Sequence, residues 1–526
     1  MNFILKTSLL LVLLSSSVIA QSNRDPKVDA QACTALKAGN AMVTSAEFIQ
    51  PPFTIKETYG PKESRQSYTI TIPFCRVVGR LKPEPKSEIN FELWLPPRAS
   101  WNGNFQGAGA GGSLGTILFR SLMRGLVRNY AVVATDNGHT SEDTSDVAWA
   151  LDHPERIVDF GYRAEHVVTQ AAKELTEHFY GRAPRHSYFV GCSQGGHHAL
   201  TEAQRFPEDY DGIVAGAPVY SWTNEMVDQA WNVQALQQIP AKALSKEKLA
   251  LLAKSVSKAC GGPDGLIDDP RQCSFDPSTL LCNGTNNDQC LTSLEIEAVR
   301  QMYAGPKTTA GVELSPGLTR GGESAWDSLW SNPERLGGSW LGVFRYMVFD
   351  DPTWDLSKMN FDRDPELARH KIGATMDPDN PDLSAFAKRG GKIIVYHGWA
   401  DDMVPAEGSV KYYDSVVAHL GAEHVNQFYR LFMVPGMAHC GYGPGADALF
   451  NTERAYSIPI EPERDLLSAL EQWVEKGRVP DRFVASRVED EGTMSRTRLV
   501  CAYPSVAKYR GAGDPLQAEN WMCSKQ

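Results

Sequence analysis

Residues 188–196 read Tyr188-Phe189-Val190-Gly191-Cys192-Ser193-Gln194-Gly195-Gly196: a short apolar run followed at once by a G-x-S-x-G pentapeptide. The run has the length and composition of a buried strand, and the residues after it, to about Phe206, read as a helix. Strand, tight turn and helix in that order are what a nucleophile elbow requires. Flanking glycines let the chain turn without a Cβ clash, so the serine Oγ projects beside the amides of a helix N-terminus. A bare pentapeptide of this kind arises often by chance; its weight here comes from its flanks.

Outward from the elbow, Phe91–Leu95, Tyr130–Thr135, Lys392–Tyr396 and Arg430–Val434 read as further short strands bounded by turn residues. Residues 161–180 carry Val167, Val168, Ala171 and Leu175 at helical spacing, stopped by Gly181. Strands alternating with helices imply an α/β chain whose mostly parallel sheet is covered on both faces. Between about Tyr220 and Leu383 the strand rhythm disappears, Trp, Pro, Gly and Asn-Asp turns become frequent, and four cysteines fall between Cys260 and Cys290. A structureless stretch of that length is improbable inside a compact domain, so short helices and disulfide-closed loops are expected there. The reading is a core of residues 21–219 and 384–526 with a lid, 220–383, inserted into it.

The 526 residues carry 52 basic and 63 acidic side chains, a net −11, and ten cysteines. No basic run offers a nucleic-acid face, and no CxxC pair suggests a zinc ribbon or a dithiol redox site. Lys6 precedes the apolar run Leu9–Leu14, and Val18-Ile19-Ala20 suits a signal peptidase, so residues 1–20 read as a signal peptide. The run is too short for a permanent membrane span. Export to an oxidising space, extracellular or periplasmic, is the expectation, and paired cysteines persist there.

A serine nucleophile needs a base and a carboxylate to orient it, in the chain order Ser, Asp, His for this strand–turn–helix arrangement. His397-Gly398-Trp399-Ala400-Asp401-Asp402 follows one strand and Pro435-Gly436-Met437-Ala438-His439-Cys440 follows another. These residues alone leave Asp401 and Asp402 as alternatives. Cys192 precedes the candidate nucleophile and Cys440 follows the candidate base. If Ser193 and His439 meet, the two cysteines fall within reach of a disulfide.

At these residues the chain resembles the tannase and feruloyl esterase family of secreted α/β-hydrolases, which also includes a bacterial mono(2-hydroxyethyl) terephthalate hydrolase. The resemblance rests on Cys192-Ser193 with His439-Cys440, Trp101-Asn102-Gly103, Arg205-Phe206-Pro207, the run Tyr210 to Pro218, His397-Gly398-x-x-Asp401 and Val434-Pro435-Gly436-Met437. It implies an α/β-hydrolase core, selects Asp401 as the third catalytic residue with Ser193 and His439, and assigns the oxyanion hole to the amides of Gly112 and Gln194. It further implies the disulfides Cys33–Cys75, Cys192–Cys440, Cys260–Cys273, Cys282–Cys290 and Cys501–Cys523.

The activity so implied is hydrolysis of aromatic-acid esters, feruloyl esters first, with gallate esters or terephthalate monoesters as alternatives. The ester would be a small molecule or one attached to plant polysaccharide or polyphenol. A binding protein without turnover is the alternative of another class, and no nucleic-acid or membrane partner is expected. The chemistry requires no cofactor. The resemblance would place calcium in the loop between Cys260 and Cys273, but only Asp264 and the Leu266 carbonyl remain of that ligand set, so a weak site or none is expected. Trp354, Phe349 and Tyr346 are candidate pocket aromatics, with core packing the favoured reading for any one of them.

Overall fold

The computed structural model describes residues 26–38, 40–326, 341–449, 459–489 and 492–525. The expected signal peptide, residues 1–20, lies outside them. In chain order the strands are β1 (Val43–Ile49), β2 (Phe53–Lys56), β3 (Ser67–Ile70), β4 (Phe74–Leu81), β5 (Ile89–Leu95), β6 (Phe105–Ala108), β7 (Ala131–Thr135), β8 (Ser187–Cys192), β9 (Gly212–Gly216), β10 (Lys392–Gly398) and β11 (Tyr429–Val434). Nine form one sheet in the order β1-β4-β5-β7-β6-β8-β9-β10-β11, and β2 and β3 form a separate hairpin. From β7 to β11 every pairing is parallel; β1, β4 and β5 add an antiparallel edge.

The interior strands are apolar at successive positions because both faces are covered. Along β10, Ile393 and Val395 point into a core shared with the helix Ala164–Tyr180, whereas Ile394 and Tyr396 point into the opposite core with Leu470 and Trp473 of the helix Leu466–Lys476. The first of these helices ends where Gly181 takes φ 74°, the left-handed cap that glycine adopts without a Cβ penalty. Each fully buried Leu, Ile or Phe contributes about 1.5–3 kcal/mol by area.

Between β9 and β10 the described residues contribute no strand to this sheet. They form instead the helices Trp222–Gln237, Lys246–Cys260 and Ser293–Ala304, with short helical turns between them. Thr292 and Glu295 close a capping box at the start of the third helix, and Glu295 also pairs with Lys248 at 2.7 Å. The apolar faces of this insertion join Val147, Trp149, Phe160 and Val404 of the flanking chain in one cluster. The insertion is therefore seated on the sheet domain by buried side chains.

All five expected cysteine pairs are bonded in the structure. Beyond β11, β12 (Arg482–Val488) pairs with β13 (Met494–Cys501), and β14 (Ser505–Tyr509) pairs with β15 (Trp521–Lys525). Arg498 on β13 is buried against the ring of Trp521, 3.2 Å from its centroid, and reaches the Cys260–Cys273 loop. Its guanidinium lies 3.1 Å from Asp264 and also binds Asp268. The Leu266 carbonyl accepts the Gly262 N–H at 2.8 Å.

The two groups left from the calcium set are thus already engaged, Asp264 by an internal cation and Leu266 by a backbone amide. The loop does not fit a calcium ion, which takes six to eight oxygens, several of them carboxylate. Removing one partner of a buried ion pair costs about 3–5 kcal/mol. Arg498→Met should lower the unfolding free energy by about that amount in urea titration. Millimolar calcium should leave the wild-type unfolding midpoint where it is; a rise of several degrees would contradict the assignment.

Candidate active site

Ser193 sits between β8 and the helix Gln194–Arg205 with φ 62° and ψ −120°. For a residue with a side chain this is a strained conformation, held only where the surroundings enforce it. Here they do: the Ser193 N–H donates to the Gly216 carbonyl at 2.9 Å, and a Cβ on Gly191 would overlap the Gly195 carbonyl. A Cβ on Gly195 would in turn press on the Ala110 carbonyl at 2.9 Å. The loop after β6 therefore packs directly on the elbow, and only glycine permits it. Within that loop Gly112 has φ +56°, and any Cβ there would strike the Thr144 carbonyl. Ser113 pins the same turn, its Oγ donating to the carbonyls of Thr144 and Asp146 at 2.9 and 2.8 Å.

His439 lies on the loop after β11, its Nδ1 2.8 Å from Asp401 Oδ2. Asp401, not Asp402, faces the imidazole. Asp401 is buried and fully engaged. Its Oδ1 accepts the N–H groups of Met403 and Val404, both at 2.9 Å, and its Oδ2 also meets His397 Nε2 at 3.0 Å. Ser409 Oγ holds the other nitrogen of His397 at 2.7 Å. Burial alone would raise the Asp401 pKa, but the charge of His439 and the hydrogen bonds from His397 and His439 hold it well below the usual carboxylate range. Burial works against a charged His439, yet Asp401, with a smaller contribution from Asp402, outweighs it and raises the imidazole above its ordinary value. With Nδ1 committed to Asp401, Nε2 is the nitrogen left to exchange a proton with a hydroxyl.

Ser193 and His439 line one cavity of about 600 Å³, and the Cα atoms of the bonded neighbours Cys192 and Cys440 are 5.9 Å apart. Ser193 Oγ makes no hydrogen bond among the described residues; in sites of this kind that bond commonly closes only with substrate present. A second, much smaller recess of about 20 Å³ also opens at Ser193 and is bounded by Gly112, which borders the wide cavity too, and by Gln194. Neither the Gly112 N–H nor the Gln194 N–H donates to a protein acceptor among the described residues. Two amides beside a nucleophile, one of them at a helix N-terminus, can stabilise a developing oxyanion.

The rest of the recess comes from Val219 after β9, from Trp222 and Met226 of the insertion, and from Met403 and Val404 after Asp401, with one acid, Glu225. Burial, and then the neighbouring Asp228, push Glu225 well above the usual carboxylate range. Gln229 bonds its carboxyl at 2.8 Å and the Met403 carbonyl at 2.9 Å. Trp222 Nε1 donates to the side-chain oxygen of Gln194 at 2.5 Å, tying the insertion to the elbow. The sequence reading had no access to His397, Ser409, Trp222 or Glu225 as parts of the site. Only His397 carried a signal, its place in the His-Gly-x-x-Asp run.

For the three aromatics of the insertion, core packing is what the structure shows. Trp354 is buried in the insertion's own core, stacked on Phe344 and Phe349 with centroids 5.3 and 5.4 Å away, and Tyr346 packs against the same cluster. None of the three is among the described residues lining either cavity. One group with metal-ligand potential occurs among the described residues, His166, Glu202 and Asp209, whose ligand atoms lie within 4.8 Å of one another. His166 there bonds Asp209 at 2.6 Å, and the group does not line the Ser193 cavity.

The family profile described as tannase and feruloyl esterase matches residues 75–524. An uncharacterized esterase of Xanthomonas campestris pv. campestris is 36% identical over 488 residues, covering 86% of this chain and 84% of its own. The mono(2-hydroxyethyl) terephthalate hydrolase of Piscinibacter sakaiensis is 34% identical over 583 aligned positions, covering 95% and 92%. The crystal structure of feruloyl esterase B from Aspergillus oryzae superposes with a TM-score of 0.85 at 29% identity, covering 94% of this chain and all of that one. With its elbow serine, its buried Asp–His pair and these relatives, the chain belongs to the tannase and feruloyl esterase family.

Proposed function

We propose that this protein is an exported serine carboxylesterase that cleaves esters of phenolic acids, hydroxycinnamates such as ferulate before gallates and terephthalate monoesters. The observation that carries the reading is the strained Ser193 set between a buried Asp401–His439 pair and the amides of Gly112 and Gln194. In this mechanism His439 Nε2 takes the Ser193 proton as Oγ attacks the ester carbon, and Asp401 holds the imidazole tautomer and balances its charge. The two amides receive the carbonyl oxygen as it becomes negative. The proton passes to the leaving alcohol, and water, deprotonated by the same histidine, then releases the acid from Ser193. No metal or organic cofactor takes part.

The acyl ring is assigned to the apolar recess under Trp222 and Met226. As it stands that recess is the size of one water, but Met403 borders both it and the wide cavity. A flexible methionine side chain is suited to giving way. The insertion of residues 220–383 acts as a lid in this account. Esters attached to plant polysaccharide or polyphenol are the proposed natural partners. Among the described residues no helix is long and apolar enough to cross a membrane; with five disulfides, this favours a secreted or periplasmic protein.

Ser193→Ala should lower kcat on methyl ferulate by at least about 10⁴-fold; equal, slow rates for both proteins would favour a binding protein. Parallel kcat/KM values should rank methyl ferulate above methyl gallate and above a terephthalate monoester. A gallate preference would overturn the choice of acyl group. Because His439 must be neutral to act as base and its pKa is raised, the acid limb of kcat/KM should fall above the ordinary histidine value of about 6.5. Asp401→Asn removes the charge that raises it, so the limb should move to lower pH while the plateau drops about 10⁴-fold. Replacing Cys192 and Cys440 together by alanine should cost about 10²-fold in kcat/KM, the effect of a roughly 1 Å misplacement, beyond any loss explained by the fraction unfolded in a parallel melting curve.

A further inference from the structure

The wide cavity beside Ser193 presents three guanidinium groups. Arg65 reaches it from the segment between β2 and β3, and Arg120 and Arg124 stand one turn apart on the helix Phe119–Val127. Among the described residues the only carboxylate on this lining is Glu57, and its oxygens accept the backbone N–H groups of Phe119 and Arg120 at 3.3 and 2.9 Å. Arg120 lies over the ring of Tyr59, 5.9 Å from its centroid. Arg65 pairs with Glu142 at 2.6 Å, but the Glu142 side chain is 57% exposed, so water screens that pair. His439 borders the same space. Although the chain as a whole carries −11, arginines outnumber carboxylates on this lining among the described residues. Low-dielectric walls of one sign focus such a field on whatever enters.

The ester's orientation follows from the two openings at Ser193. Ser193 borders both openings, so with the acyl group in the apolar recess the leaving alcohol projects into the wide cavity. At about 600 Å³ that cavity has the volume of a small-molecule site and can hold a sugar-sized alcohol. We propose that the wall formed by Arg65 and Arg120 is the leaving-group subsite and selects alcohols that carry a carboxylate, such as the uronic acid units of an acidic polysaccharide. The guanidinium fork matches a carboxylate in two parallel hydrogen bonds. The assignment rests on the reading of Ser193 as the nucleophile.

The test uses two feruloyl esters that differ by one charge, methyl 2-O-feruloyl-galacturonoside and its C6 methyl ester. The wild type should hydrolyse the acid with a kcat/KM about tenfold higher, expressed in KM, since a charge-assisted hydrogen bond contributes about 1.5 kcal/mol or more. Raising salt from about 20 mM to about 0.5 M should shrink the ratio. The Arg65→Gln/Arg120→Gln double variant should bring it to within about twofold of unity. Calorimetric Kd values of the Ser193→Ala protein for the same pair should show the same ratio without turnover. A wild-type ratio of one or below, or a ratio that survives in a folded double variant, would overturn the proposal. If that variant does not fold, the wild-type ratio and its salt dependence still decide. A Kd ratio that holds while neither ester is cleaved would count against the esterase reading and leave the subsite standing.

Discussion

The bond between Cys192 and Cys440 joins two loops that are 248 residues apart in sequence, and each of its cysteines is the immediate neighbour of a candidate catalytic group. Ser193 is in a conformation a side-chain-bearing residue adopts only under constraint, and Cys440 itself has φ 60°. Around them glycine after glycine is fixed by contact with backbone: Gly191 against Gly195, Gly195 against Ala110, Gly398 against Met437. The candidate site is thus built by close approach of main chains, and the disulfide ties two of its loops together. A site held this way supplies the preorganisation that acyl transfer needs.

Electrostatics completes what the covalent frame begins. Asp401 would be costly to bury alone, since an unpaired carboxylate in an apolar interior shifts its pKa and takes a proton instead. Two amides and two histidines meet all of its oxygens, so it stays charged and can orient His439. His397 and Ser409 extend that support one layer outward, as outer partners do for other functional groups. In the small recess at Ser193 the balance reverses: Glu225 lies among apolar side chains where its neutral form is favoured. The two carboxyls differ because one has cationic and amide partners and the other has chiefly Asp228, Gln229 and hydrocarbon.

Much of this was legible in the amino-acid order because local signals agreed. The apolar run before Gly191 and the helical spacing before Gly181 each matched the element the structure shows, to within a few residues. Strand β10 runs two residues further than its apolar core because His397 and Gly398 pair with Met433 and Val434. Strand β6, Phe-Gln-Gly-Ala, has almost no strand signal of its own; it is extended because β7 and β8 pair with it on either side. Trp354 marks a limit of such signals, since a tryptophan in an inserted segment looks the same whether it faces ligand or core. Arg498 was beyond reach for another reason: its partner Asp268 lies 230 residues away, and nothing local marks a guanidinium as an internal counter-ion.

The central claim is that one serine is made nucleophilic by one histidine across the disulfide-bonded loops. A fluorophosphonate that reacts only with activated serines, followed by peptide mass spectrometry, addresses it without any choice of substrate. The account predicts a single adduct, on Ser193, that disappears when His439 is replaced by glutamine. Labelling of a different serine, or undiminished labelling of Ser193 in the His439→Gln protein, would contradict it.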